Sequence, residues 1–330
     1  MKENQKTILL TGAAGFIGFH VAEALLARKE RVVGLDAITP YNDPKLKQKR
    51  LELLRAKKNF TFVEGSITDL TLLRRIIEKE RPRVIVHLAA QPGVRYSLEA
   101  PQSYVEANVL GSTTVFEAAR QTGTPVVYAS SSSVYGQRGG VFKETDRTDS
   151  PHSIYAATKK ATEVIAEAYH KLYGLPLIGL RYFTVYGPWI RTDLALFKFS
   201  YLLLSHNTIP LFASGKTMRS FTHISYVVDG TLAAIERIKS GHTIYNLGDE
   251  KNVPTRKVLD LLARAYNVKP KILLMPPSPG DVLITKASSK KAGKALKVKQ
   301  RVSLEKGIAE FAEWFLKNKR FLMSLEDMHI

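Results

Sequence analysis

In the first half of the chain the apolar residues fall in short unbroken runs, separated by stretches with helical spacing. The runs are Thr7–Leu10, Arg31–Leu35, Phe60–Val63, Val84–Leu88, Pro125–Ser130 and Pro176–Arg181. Between them, Gly18–Arg28 sets Val21, Ala24 and Leu25 on one helix face, and Leu70–Lys79, Tyr104–Gln121 and Ser153–Tyr173 continue the alternation. A strand that is apolar at successive positions is buried on both faces, as in a parallel sheet. Parallel strands need crossover connections, and the helical stretches supply them. The pattern predicts an α/β protein built on a Rossmann-type doubly wound parallel sheet.

The rhythm changes after Gly187. Pro188, Pro210, Pro254, Pro270, Pro276, Pro277 and Pro279 punctuate shorter elements. His242–Leu247 has the composition of one more strand able to return to the main sheet. We therefore expect a Rossmann domain over residues 1–186, rejoined by 223–248, and a smaller C-terminal lobe over 187–330.

Composition narrows the chemistry. The 330 residues are 45% hydrophobic, which suits a globular chain. With no cysteine there is no disulfide scaffold, thiolate zinc site or cysteine nucleophile. Eight histidines are scattered without ligand spacing, so no metal is expected. His87, at the end of a buried run, reads as a packing residue. No G-x-S-x-G elbow marks a serine hydrolase. Lys2 and Lys6 precede the uncharged stretch Thr7–Phe19, but three glycines interrupt it and no small-residue cleavage site closes it. No run of about 18 apolar residues suggests a membrane span. A soluble, cytoplasmic protein is expected.

The charge is strongly basic, with 49 Lys+Arg against 30 Asp+Glu and a formal net charge of +19. Much of it lies in Lys45, Lys47, Lys49, Arg50, Arg55, Lys57 and Lys58, and in Lys286, Lys290, Lys291, Lys294, Lys297, Lys299 and Arg301. No nucleic-acid motif accompanies these segments, so both read as solvated basic surface and nucleic acid is not the expected partner.

Two constellations carry chemistry. Gly12, Gly15 and Gly18 lie between the first strand and the first helix, in the order G-x-x-G-x-x-G. Glycines let the backbone approach a pyrophosphate, and the helix N-terminus offers free N–H groups at the positive end of its dipole. Asp36 ends the second strand, where a carboxylate can accept from both ribose hydroxyls and repel a 2′-phosphate. NAD is the expected cofactor. The second constellation is Tyr155 and Lys159, an i,i+4 pair on one helix face. Lowering a phenol from pKa ~10 to about 7 takes roughly 4 kcal/mol. A unit charge at ~4 Å contributes about that much at an effective dielectric near 20. An ammonium beside a cationic nicotinamide ring is therefore sufficient in size. Tyr41 and Lys45 share the spacing, but Pro44 disfavours a helix through both. Ser130–Ser133 and Tyr182–Thr184 follow strand ends, so they line the crevice that Tyr155 faces.

The glycine pattern with Ser131, Tyr155 and Lys159 resembles the extended short-chain dehydrogenase/reductases that act on nucleotide sugars. Residues 89–97 (Ala-Ala-Gln-Pro-Gly-Val-Arg-Tyr-Ser), 128–136 (Tyr-Ala-Ser-Ser-Ser-Ser-Val-Tyr-Gly), 181–189 (Arg-Tyr-Phe-Thr-Val-Tyr-Gly-Pro-Trp) and 194–197 (Leu-Ala-Leu-Phe) are similar to the UDP-glucuronate 4-epimerase family. The similarity runs from about residue 6 to residue 316. It implies reversible C4 epimerisation through a 4-keto sugar with tightly bound NAD. It makes Tyr155 the base, with Ser131 in the proton relay and Lys159 beside them. It implies an NAD site lined by Phe16, Ile17, Ser66, Ile67, Leu88, Ala89, Ala90 and Asn108 as well as the glycines, Asp36, Tyr155 and Lys159. It assigns Ser131, Ser132, Ser133 and Thr184 to the sugar carboxylate, Arg191 and Arg219 to the diphosphate, Asp281 to the uridine ribose and Arg95 to the sugar. Related decarboxylases and dehydratases carry an acid where Ser133 stands, and UDP-galactose-type epimerases usually have Asn in place of Thr184. Ser66, Ser220 and Thr192 depart from the family's usual Asp, Asp and Pro. The resemblance also implies a homodimer through the helices Tyr104–Gln121 and Ser153–Tyr173. Two other readings stay open at this point: epimerisation of a neutral or N-acetylated UDP-sugar, and a non-catalytic relative that binds nucleotide or RNA.

Overall fold

The structure, a computed structural model, describes residues 7–41, 43–277 and 282–325. Seven parallel strands form the central sheet: β1 (Thr7–Thr11), β2 (Arg31–Asp36), β3 (Phe60–Glu64), β4 (Val84–His87), β5 (Val126–Ser131), β6 (Leu177–Tyr182) and the strand His242–Leu247. They lie in the order His242–Leu247, β6, β5, β4, β1, β2, β3. The order reverses between β1 and β4, which opens a crevice at the carboxyl ends of the strands. The fold is the doubly wound sheet expected from the apolar runs. Every residue of β1 is buried, so its unbroken TILLT run reflects cover on both faces.

The two faces have separate cores. α1 (Phe16–Ala27) and the helix Ile224–Arg237 cover one through Phe16, Phe19, Val21, Ile224 and Val227. α3 (Leu70–Glu80) and the helices Gly111–Thr122 and Ile154–Tyr173 cover the other through Leu73, Ile76, Val115, Phe116 and Ala166. The first core runs on into the smaller lobe, where Phe197, Leu259, Leu262, Phe311 and Phe315 pack together. The helices of that lobe are longer than its punctuation suggests: Thr255–Tyr266 has 12 residues and Leu304–Lys317 has 14. The proline at 254 precedes its helix at the cap position and so breaks nothing.

Two readings of the sequence need correction. The stretch expected to be one regular helix from Tyr104 to Gln121 contains a π-helical turn, Val105–Leu110, before the α-helix resumes at Gly111. The wider turn carries Asn108 inward, where its side chain accepts from the Gln91 N–H at 2.7 Å. Its amide donates to the Gln91 carbonyl and to the Thr158 hydroxyl, both at 3.0 Å. The Asn108 carbonyl also accepts from the Thr162 hydroxyl at 3.0 Å.

The segment Lys45–Lys58 is not simply solvated. Most of it forms α2 (Pro44–Arg55), whose inner face is Leu46, Arg50, Leu51 and Leu54. Arg50 is 2% exposed. It donates to the Ala14 carbonyl in the glycine-rich loop at 3.0 Å and to the Trp189 carbonyl at 2.6 Å, with Ile190 at 3.4 Å. His20 from α1 grips the same turn through the Pro188 carbonyl at 2.8 Å. Trp189 sits at φ +61°, an uncommon conformation for a bulky residue, and these two bonds hold it there. Arg50 thus ties the sheet domain to the start of the smaller lobe. Arg50→Leu leaves three carbonyls without this donor, and we expect a loss of about 2–3 kcal/mol in urea denaturation; an unchanged midpoint would refute this account of the junction.

Candidate active site

The crevice at the strand reversal is a single cleft of about 1100 Å³ that runs from the glycine-rich loop into the smaller lobe. It exceeds the ~300–1,000 Å³ typical of a drug-sized ligand site, as a cleft for two ligands end to end should. At one end stand Gly12, Gly15, Phe16, Ile17 and Gly18. Gly12 has φ +74°, and a Cβ there would lie 2.7 Å from the Ala89 nitrogen; one on Gly18 would meet the Gly12 carbonyl at 2.0 Å. No side chain caps α1 and no acid occupies its first turn, so its leading N–H groups remain available to an anion. Asp36 accepts from the Ala14 and Ile38 N–H groups at 3.1 and 3.0 Å, which aims its carboxylate along the cleft wall. Lys47 lies 3.8 Å from that carboxylate. Ser66, Ile67, Leu88, Ala89 and Ala90 line the same end. This cradle fits a dinucleotide. Asn108 does not line the cleft; it stands behind the wall and holds the Gln91 backbone.

The reacting candidates meet in the middle. Ser153 caps the helix Ile154–Tyr173 by accepting from the Ala156 N–H at 3.1 Å, so the helix begins one residue before Tyr155. Lys159, 4% exposed, donates to the Ala129 carbonyl in β5 at 2.9 Å. Ser131 ends β5 and hydrogen-bonds the Tyr155 phenol. Ser131 also accepts from the Ser133 N–H at 3.2 Å and the Ser133 hydroxyl at 2.9 Å. Burial raises the Tyr155 pKa, while the Ser131 bond and the charge of Arg191 lower it. The charges acting on the phenol here are those of Arg191, which lowers its pKa, and Asp193, which raises it, with the Lys159 ammonium bonded to Ala129. Tyr104 packs edge-on against Tyr155 with ring centres 6.2 Å apart.

Ser132, Ser133, Thr184, Arg95, Arg191 and Arg219 line the far end together. Arg191 makes a two-pronged contact with Asp193, 2.9 Å from Nε and 2.8 Å from Nη2. The Tyr41 hydroxyl donates to the same carboxylate at 3.1 Å. Arg219 donates to the Met218 and Leu283 carbonyls. Arg95 lies over the Phe212 ring at 4.4 Å. Asp281 lies outside the described residues. Ser220 is buried away from the cleft lining and donates to the Thr285 carbonyl. Asp193, Lys198 and Tyr41 face this space without having been singled out from the sequence as site residues. Asp193 had one signal, its place two residues after Arg191. Tyr41, whose spacing to Lys45 is interrupted by Pro44, is brought by folding to the same cleft. Among the described residues no cluster of acids and histidines could hold a metal ion. Nor is any helix there long and apolar enough to cross a membrane.

Residues 8–248 match the model of the NAD dependent epimerase/dehydratase family. The chain belongs to that family. It is 44% identical to an uncharacterised protein of Methanocaldococcus jannaschii over 97% of this chain and 99% of the other. It is 43% identical to UDP-glucuronate 4-epimerase 5 of Arabidopsis thaliana, over 94% of this chain and 75% of that one. Its structure is similar to that of the UDP-glucuronic acid 4-epimerase of Bacillus cereus, solved with UDP-glucuronic acid and NAD. The TM-score is 0.89 at 32% identity, over 94% of this chain and 99% of the other. The dTDP-glucose 4,6-dehydratase DesIV of Streptomyces venezuelae aligns as well, with a TM-score of 0.90 at 28% identity over 97% and 99% of the chains. Backbone similarity therefore does not separate epimerase from dehydratase, and the side chains in the cleft must.

Burial pushes Lys159 down to about 8 from its ordinary 10.5, with Glu163 opposing. Between these two pH values the unfolded chain holds a proton that the folded chain has released, so stability rises with pH across that window. Below it Lys159 detracts from stability. Lys159→Met should therefore be more stable than the parent at pH 7 by about 2 kcal/mol, and the difference should fade near pH 10.5. Urea denaturation at both pH values checks this; a less stable variant at pH 7 would contradict it.

Proposed function

We propose that the protein is a UDP-glucuronate 4-epimerase that interconverts UDP-glucuronate and UDP-galacturonate with resident NAD. The observation that carries the reading is the row of hydroxyls Ser131, Ser132, Ser133 and Thr184 lining the cleft beside Tyr155, with no carboxylic acid at position 133. The named relatives and the glycine cradle support it.

The glycine loop and the start of α1 would hold the pyrophosphate of NAD, and Asp36 would hold its adenosine ribose. NAD, when bound, would supply the reversible acceptor for the hydride that leaves and returns to the sugar C4, together with a cationic ring. Tyr155 takes the proton of the sugar 4-hydroxyl, with Ser131 able to pass it along the hydrogen bond they share. Ser131 and Arg191 favour the phenolate against the cost of burial. The resulting 4-keto sugar turns about its phosphate linkage and presents its other face. Tyr155 then gives the proton back to the new 4-hydroxyl. Arg191 and Arg219 hold the diphosphate end while the sugar turns.

The 4-keto uronic acid is a β-keto acid, prone to lose carbon dioxide. Hydroxyl donors from Ser132, Ser133 and Thr184 can keep its carboxylate out of the alignment that decarboxylation needs. A dehydratase needs an acid to deliver a proton here, and Ser133 cannot act as one. The protein is further read as a cytoplasmic homodimer. Val105, Leu110, Val164 and Leu172 are exposed on the helical segments of the expected interface, and light scattering at twice 36.9 kDa tests it.

Incubation with UDP-glucuronate, UDP-glucose and UDP-N-acetylglucosamine, with NMR of the sugar H4 coupling, distinguishes the substrates. We expect the uronate to epimerise and Tyr155→Phe to lower kcat by about 10³-fold. Turnover of the neutral sugars alone would overturn the assignment. Ser133→Glu should raise KM for UDP-glucuronate by about tenfold or more, through charge repulsion with the substrate carboxylate; an unchanged KM and product would remove that residue from the carboxylate site.

A further inference from the structure

Beneath the cleft floor lies a buried ion pair that the reaction above does not use. Glu163 stands one turn beyond Lys159 on the same helix face and is 2% exposed. Its carboxylate accepts from Arg181 Nε at 2.7 Å, from Arg181 Nη2 at 2.8 Å and from the Ser130 hydroxyl at 2.6 Å. Arg181, near the end of β6, also donates to the Tyr135 hydroxyl, which in turn donates to Asn246. Lys160 approaches the carboxylate to 3.6 Å. Desolvation offsets much of the attraction in such a pair, so stability alone is a weak reason for it. Its position suggests another. It lies between the strand that ends in Ser131 and the strand that leads to Thr184, one helical turn from Lys159.

We propose that Glu163, oriented by Arg181 and Ser130, is a positioning residue that keeps Lys159 protonated inside the protein. The consequence for turnover rests on the epimerase reading; the electrostatic claim does not. Lys159 is itself buried, and among the described residues no carboxylate lies within salt-bridge distance of its Nζ. The charged and titratable groups around Lys159 and the Glu163–Arg181 pair come from several elements. The helix of Lys159 supplies Tyr155, Lys160 and Glu163. β4 supplies His87, which burial keeps neutral with a pKa of about 3. β5 supplies Tyr128, whose phenol burial raises. β6 supplies Arg181, the turn after β5 supplies Tyr135, and the edge strand supplies His242, lowered by burial. Glu163 is the carboxylate whose charge reaches Lys159 and opposes its loss of a proton. The partners Arg181 and Lys160 would press the other way if that carboxylate were gone.

This predicts effects of opposite sign from the two halves of one pair. Glu163→Gln leaves Arg181 and Lys160 uncompensated, so Lys159 should lose its proton about one pH unit lower. Arg181→Gln leaves the carboxylate uncompensated, so the Lys159 pKa should rise by about one pH unit. The double variant should return close to the parent. The readout is carbon-13 NMR titration of the NAD-loaded protein labelled at the lysine ε-carbon, with Lys159 assigned from the Lys159→Arg spectrum. The alkaline limb of kcat should follow the same order, while KM for UDP-glucuronate changes less than about threefold. A purely structural pair would shift both single variants alike or neither, and either result overturns the proposal. Should Glu163→Gln fail to fold, Arg181→Gln decides: an upward shift supports the proposal, and no shift or a downward one ends it. The titration needs no substrate, so a protein that ignores UDP-glucuronate would sink the proposed reaction and leave this inference standing.

Discussion

The hydrogen bond from the Lys159 ammonium to the Ala129 carbonyl is the contact on which the cleft depends. It crosses from the helix Ile154–Tyr173 to the last turnless residues of β5 and fixes the distance between them. Tyr155, four residues earlier, is thereby carried to Ser131, two residues later in the strand. The ammonium gives up water for one carbonyl and a carboxylate a helical turn away, which is why burial depresses its pKa. The arrangement favours chemistry over stability, as is common where a charge must be held in place before a substrate arrives.

A second constraint sets the width of the cleft. The sheet domain and the smaller lobe share one continuous core, so they do not meet as two independent bodies. Arg50 and His20 grip the turn at Pro188–Ile190 from the sheet side. Arg191 follows that turn directly, and Asp193 and Tyr41 hold its guanidinium in place. A buried cation in α2 therefore helps aim a second cation near the phenol. The glycine-rich loop belongs to the same chain of contacts, because Arg50 also bonds the Ala14 carbonyl. Relatives with different activities share the backbone fold, so the backbone alone does not choose the reaction.

The sheet and its order of helices were legible in the chain because each depends on local patterning. Buried parallel strands must be apolar along their length, and crossover helices must carry one apolar face. The glycine loop was legible for a similar reason, since close backbone approach admits only glycine. Tyr155, Lys159 and the serines were legible as a spacing within one helix and a position after one strand. The π-turn at 105–110 was not, because a single widened turn leaves the residues on either side at helical spacing; the inward pull of Asn108 toward Gln91 reveals it. Arg50 misled for the opposite reason: its neighbours in sequence are solvated, and its partners come from loops far along the chain.

What the amino-acid sequence determined alone was therefore the strands and crossover helices of the parallel sheet, the glycine-rich loop and the spacing of the phenol–amine pair. What only the folded chain decided was which charges act on that pair. Asp193, Tyr41 and Arg191 converge from segments about 150 residues apart, and Glu163 meets Arg181 across a helix–strand interface. Electrostatic influence depends on distance and burial in three dimensions, and neither is written in the order of residues.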